Sequence, residues 1–345
     1  MKTSGPSPHA FSICAAAAVL ASCGGSQPIG APGAMPQEAP FTMHTNRTET
    51  PIALDAKGPL LYVDHVLGEG SHSYSVISIL SLPEGRVLTK ITGYGYISGL
   101  CSDASGDVWA SDYRHGHWYA DKFARAGTKP IEELQPPHRW SMLTGCAVDP
   151  ASGDLVVLGE NIDGVPYALI WSGGREGKPA RYQVDFEPLF ATYDDAGNLF
   201  ISGWEGGSDW FFEMAELASG SAKVTHMQLD KHTESPGDVQ WDGKYVVVST
   251  ALSRRTRNPF GEFWTPRLYR LQVSGSKGHV VQVVQPQGLR GRIDVGMLFV
   301  LQNHAVIGMA GKRIYNLRTW PYPAGGKATR SIAHFNDIRG LAISQ

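Results

Sequence analysis

Charge is the first thing this chain lacks. Only 18% of its 345 residues are Asp, Glu, Lys or Arg, and the formal net charge is -2. No electrostatic footprint for nucleic acid exists, and nucleic acid is excluded as a partner. Long apolar runs are scarce too. Beyond the first 22 residues none is long enough to cross a bilayer. Reactive motifs are also missing. The chain holds no Gly-x-Ser-x-Gly elbow, no His-Glu-x-x-His, no phosphate-binding Gly-Lys-Ser/Thr and no paired catalytic carboxylates. No catalytic residue, metal ligand or cofactor is therefore nominated.

Turn formers and rings are abundant. There are 40 Gly and 22 Pro, with 9 Trp, 13 Tyr and 12 Phe, the composition of an all-β chain with many tight turns. The turns are periodic. Gly99-Leu-Cys-Ser-Asp-Ala-Ser-Gly-Asp-Val-Trp-Ala-Ser-Asp112 reads as strand, Asp/Ser/Gly turn, strand. The phrase returns from Gly145, from Phe190 and, degraded, from Gly237 and Val295. A period of roughly 45 residues is the mark of a repeat architecture. A second hairpin accompanies each copy, its Gly turn usually carrying Lys or Arg, as in Arg267-Leu-Tyr-Arg-Leu-Gln-Val273 before Ser274-Gly-Ser-Lys-Gly278.

Four strands per unit and six units predict a six-bladed β-propeller. The last residues, Arg339-Gly-Leu-Ala-Ile-Ser344, read as a first strand with nothing after it. That strand is expected to complete the first blade, which otherwise starts at its second strand, Pro59-Leu-Leu-Tyr-Val63, and so to remove the open edge. Pro51-Ile-Ala-Leu-Asp55 competes for the same place and keeps a seven-bladed ring open.

The N-terminus has another character. Lys2 precedes an apolar stretch, Ala10 to Ala21, too short to span as a mature helix, and Leu20-Ala21-Ser22-Cys23 follows. This resembles a bacterial lipoprotein signal. The resemblance implies removal of residues 1–22, lipidation of Cys23, and an extracytoplasmic location held to a membrane through that lipid. Residues 23–50 then form a Gly/Pro/Ala-rich tether and 51–345 the propeller. Of four cysteines, Cys101 and Cys146 remain for the folded body. They sit one residue out of register on consecutive repeats. Either they face each other as a disulfide or they are two small buried hydrophobes, and geometry decides.

Gly99–Asp112 and Gly145–Asn161 resemble the repeats of NHL and SMP-30-like (gluconolactonase-type) six-bladed propellers. The latter enzymes hold a metal through Glu, Asn and Asp near the central channel, and no segment here matches those ligand motifs. A metal-dependent hydrolase of that kind is the alternative reading, to be favoured if Glu160, Glu205 and Asp238 meet at one channel mouth.

Three sets of side chains are binding candidates. His115 and His117 follow the second strand of blade 2 with Tyr113, Trp118 and Tyr119 around them, and a polar loop with aromatic packing is expected there rather than a metal-holding pair on a strand. Glu160 and Asn161, Trp204 and Glu205, and Ser249 with Thr250 follow second strands of other blades and are expected on the same face. The segment 253–267 is expected to be an inserted loop, offering Arg254, Arg255, Arg257 and Trp264 to an anionic or sugar-rich ligand or to a partner protein. The Asp-x-x-Gly motifs at Asp103, Asp149 and Asp195 read as turns rather than cation sites. The leading reading is a non-enzymatic scaffold for an envelope protein or a glycan, with its loops as the contact surface.

Overall fold

The computed structural model describes residues 58–345, apart from 69–72, 138, 206–211, 232, 234–236, 256–261, 289–297, 303 and 311–313. The signal, Cys23, the tether and the segment Pro51–Asp55 lie outside the described residues. The protein is a six-bladed β-propeller. Each blade is an antiparallel sheet whose first strand lines the axis and whose fourth lies at the rim. The innermost strands are Ile338–Ser344 in blade 1, Tyr96–Ser102 in blade 2, Trp140–Val148 in blade 3, Glu187–Tyr193 in blade 4, Val239–Trp241 in blade 5 and Phe299–Gln302 in blade 6.

Radial position explains the sequence pattern. Second strands are sandwiched between two neighbouring blades, so they are buried on both faces. Leu60–Asp64, Val108–Asp112, Leu155–Gly159 and Leu199–Gly203 are each buried throughout. A rim strand such as Lys277–Val284 alternates exposed and buried instead. Between blades the buried faces form separate clusters: Leu60, Tyr62, Ile77 and Ile79 meet Ile97, Leu100, Val108 and Phe123 across the first interface.

The ring closes as expected. Ile338–Ser344 pairs antiparallel with the second strand of blade 1, Leu60 opposite Ser344 and Asp64 opposite Gly340. Ser102 Oγ donates to Ile343 O at 2.7 Å and Ser344 Oγ to Gly106 O at 2.6 Å, so the closing strand is also held by blade 2. Blade 5 departs from the four-strand plan. Gln228–Leu229, from the connection entering it, adds a fifth, parallel strand at the rim.

The repeated glycines have a steric cause. A Cβ on Gly99 would stand 2.3 Å from Thr144 O, and one on Gly145 would stand 2.3 Å from Leu189 O. Both obstacles are backbone of the next innermost strand, so no side-chain rotation relieves the clash. Gly145→Ala is expected to lower stability by about 2–3 kcal/mol, the upper part of the usual range for overpacking. Urea unfolding measures it; a midpoint equal to wild type contradicts the close approach.

The turns confirm their chemistry with one shift of residue. Asp103 Oδ1 accepts from the N–H groups of Ser105 and Asp107, and Asp149 Oδ1 from that of Ala151. In the third copy the turn-forming carboxylate is Asp194, not Asp195. Its Oδ1 accepts from Ala196 N and Asn198 N because Asp194 directly follows the strand and Gly197 takes the positive φ.

Candidate functional site

Blade 2 places three rings side by side on three adjacent strands. Tyr96 opens the innermost strand, Tyr113 lies near the end of the second strand, Val108–Arg114, and Trp118 near the start of the third, His117–Phe123. The register pairs Tyr96 with Tyr113 and Tyr113 with Trp118. A two-residue turn sets that register. His115 and Gly116 both have positive φ, 51° and 82°, between the paired residues Arg114 and His117. The polar loop expected after the second strand is this turn: His115 lies in it, and His117 opens the third strand. Among the described residues no group of three or more His, Cys, Asp or Glu is placed to hold a metal.

The rings look toward blade 3, where they meet Trp140 and Ile162 across a cleft of about 240 Å³. Ring centroids are 5.2 Å apart for Tyr113 and Trp118, and 5.9 Å for Tyr96 and Trp118, the latter edge to face. Trp118 Nε1 donates to Ser141 O and Trp140 Nε1 to Pro137 O, so both indoles are fixed. Tyr96, Tyr113 and Ile162 are exposed at 37%, 41% and 56%. His117, Gln135, Arg139 and Ser141 supply the polar part of the lining.

Cleft and axis adjoin through one side chain. The Arg339 guanidinium stacks over the Tyr96 ring at 4.7 Å and also lines the central channel. The channel, about 470 Å³, is walled by all six innermost strands. Cys101 and Cys146 lie on that wall, Cα atoms 5.6 Å apart, and are joined by a disulfide between blades 2 and 3. Asp238 also faces the channel; burial pushes its carboxyl up to about 7, against the Phe299 N–H that it accepts at 3.3 Å.

Other candidates sit elsewhere, each for a stated reason. Asn161 Oδ1 accepts from Asp163 N and Val165 N, which makes it the former of its own turn. The Glu160 carboxylate lies close to Gly164 of that turn. Trp204 Nε1 donates to Glu187 Oε2 within blade 4. Glu205 lines a different depression beside Phe212 and His226. Ser249 and Thr250 are fully buried, because the second strand of blade 5 runs on past them to Arg255. That continuation corrects the expected loop. Val246–Arg255 and Glu262–Ser274 form one long hairpin, with Ser253 opposite Trp264 and Arg254 opposite Phe263. Arg257 lies outside the described residues.

Two groups of buried carboxylates lie where blades 1 and 2 meet. Asp112 and Asp121, both fully buried, share the Arg114 guanidinium: Nη1 is 2.7 Å from Asp112 Oδ1 and 2.6 Å from Asp121 Oδ2. Arg114 also stacks over Tyr119 at 4.1 Å and pairs with Glu133. Burial, then the neighbouring Asp121, lifts Asp112 to about 7 despite the arginine. Asp64 is fully buried with neither oxygen in hydrogen-bonding geometry. Burial raises its pKa to about 8, and Arg339 and the nearby Ser75 hydroxyl pull it down only in part.

A carboxyl whose folded pKa lies above its unfolded value binds its proton more tightly in the native state. Its stabilising contribution is complete below about pH 4 and is lost as pH rises through about 8. Asp64 therefore makes native stability fall between pH 4 and 8, against the opposite slope that His65, lowered to about 4 by burial, adds up to about pH 6.5. Asp64→Asn should flatten much of that slope, leaving the part owed to Asp112 and Asp238. Urea midpoints across the range check this, and an unchanged slope in the variant contradicts it.

No protein-family model matches the chain, and no curated protein matches it. Solved structures do. TolB from Acinetobacter baumannii aligns with a TM-score of 0.54 at 13% identity, over 84% of this chain and 67% of that one. A functionally unknown protein from Desulfotomaculum acetoxidans aligns with a TM-score of 0.50 at 13% identity, over 82% and 89%. Likeness at this identity establishes the propeller and nothing about activity.

Proposed function

We propose that this protein is a non-enzymatic binding scaffold, displayed outside the cytoplasm and held to a bacterial membrane by a lipid on Cys23, with the cleft between blades 2 and 3 as its ligand site. One observation carries the reading. Tyr113, His117 and Trp118, candidates by residue type alone, converge with Tyr96, Trp140 and Arg139 into one concave, aromatic, partly polar cleft. The rings are fixed by cross-strand packing and by indole hydrogen bonds, so little side-chain entropy is lost when a ligand settles on them.

The hydrolase alternative requires Glu160, Glu205 and Asp238 at one channel mouth. Asp238 faces the channel, Glu205 lines a separate depression, and Glu160 lies by the Gly164 turn. The scaffold reading is therefore preferred.

Two full-length variants test it. Tyr113→Ala, on an exposed ring, should leave folding intact and weaken binding to any ligand found in a glycan panel by about tenfold or more, the scale of one aromatic contact. Unaltered affinity rejects the cleft. Cys23→Ser should move the protein from the membrane to the soluble fraction, and continued membrane fractionation rejects the anchor.

A further inference from the structure

The cleft is biased in charge as well as shape. Among the described residues its lining contains Arg139 and His117 and no carboxylate. Arg139 is exposed, and among the described residues it makes no ion pair. An aromatic cage for a cationic ligand is usually completed by acidic groups; here the charge is of the opposite sign. The apolar part is equally informative. Tyr96 and Tyr113 offer partly exposed rings, whereas the indole N–H groups of Trp118 and Trp140 are already spent on Ser141 and Pro137 carbonyls. What remains is flat ring surface, with hydroxyls, Gln135 and a guanidinium at the edge. At about 240 Å³ the cleft is smaller than the roughly 300–1,000 Å³ of sites for drug-sized ligands, so it suits one ring unit.

We propose that the cleft takes an acidic sugar, a pyranose unit bearing a carboxylate. Its apolar face stacks on Tyr113, its hydroxyls meet Gln135 and the Tyr96 and Tyr113 hydroxyls, and its carboxylate pairs with Arg139. The inference rests on the cleft being the ligand site. A pyranose matches the lining because it joins a C–H face to a hydroxylated edge. A guanidinium is the side chain best shaped to hold a carboxylate by two parallel hydrogen bonds.

The test is titration of the full-length protein with methyl β-glucuronide, methyl β-glucoside and benzoate, repeated on Arg139→Gln and Tyr113→Ala. The uronide is expected to bind about tenfold or more tightly than the neutral glucoside, a charge-assisted contact's worth, and Arg139→Gln should erase that preference while keeping residual glucoside binding. Both sugars binding equally, with Tyr113→Ala still weakening them, overturns the acidic class and leaves the cleft standing. Benzoate binding tighter than the uronide overturns the sugar. Uronide binding that neither substitution changes overturns the cleft itself, as does no binding of any of the three. Circular dichroism of both variants separates a lost contact from a lost fold.

Discussion

Removal of residues 338–345 is expected to abolish the native fold. The strand lost contributes the inner wall of blade 1, with Ile338, Leu341 and Ile343 all at 8% exposure or less. Burying an Ile or Leu side chain is worth about 1.5–3 kcal/mol, so three of them approach the roughly 5–15 kcal/mol that holds a domain together. The second strand of blade 1 would also be left with an unpaired edge from Leu60 to His65. Blade 2 loses its hydrogen bonds from Ser102 and Ser344 as well. The truncated chain should show no cooperative melting, bind a hydrophobic dye and aggregate. A melting temperature equal to wild type would mean that the ring is not closed by this strand.

The second large effect is expected at Arg114. Substitution by Met keeps much of the apolar stem but leaves Asp112 and Asp121 buried without their shared cation. Breaking a buried ion pair by removing one partner typically costs about 3–5 kcal/mol. The cost should shrink at pH 5, because Asp112, lifted to about 7 by burial, can then be neutral in the folded state, and burial raises Asp121 as well. Adding Asp112→Asn and Asp121→Asn to Arg114→Met should recover part of the loss, since the charge left behind is the main penalty. Urea unfolding at pH 7 and pH 5 measures both effects. A midpoint that does not move at pH 7 would show that the carboxylates are compensated some other way.

The fold was readable because its cause is local and repeated. Each Asp-x-x-Gly turn makes its own hydrogen bonds, and each Gly99- or Gly145-type position answers to the same approach of neighbouring innermost strands. Closure was readable from Arg339–Ser344 because a first strand without a second has one place to go. The site was only half readable. Tyr113, His117 and Trp118 stood out as rings and a histidine around a Gly turn. Tyr96, Arg139, Trp140 and Ile162 did not, because they join the cleft only when blade 3 packs on blade 2. Their nearest signal was that Tyr96 and Trp140 both open innermost strands. Segment 253–267 misled for the opposite reason: its length suggested a loop, whereas the strands stay paired as far as Arg255 opposite Glu262. Trp204 and Asn161 were over-read because polar partners close at hand, Glu187 and the turn backbone, already engage them.

Ligand settling between blades 2 and 3 can be read directly from the nine tryptophan indoles. A proton–nitrogen correlation spectrum of the full-length protein, titrated with the tightest ligand from the sugar panel, follows each indole N–H after assignment by substitution. Trp118 and Trp140 are expected to shift together while Trp320, buried in a separate cluster with Val247, Leu268 and Phe299, stays in place. Movement of Trp241, which lines the central channel, with Trp118 and Trp140 unmoved, would contradict that expectation and place the site on the axis.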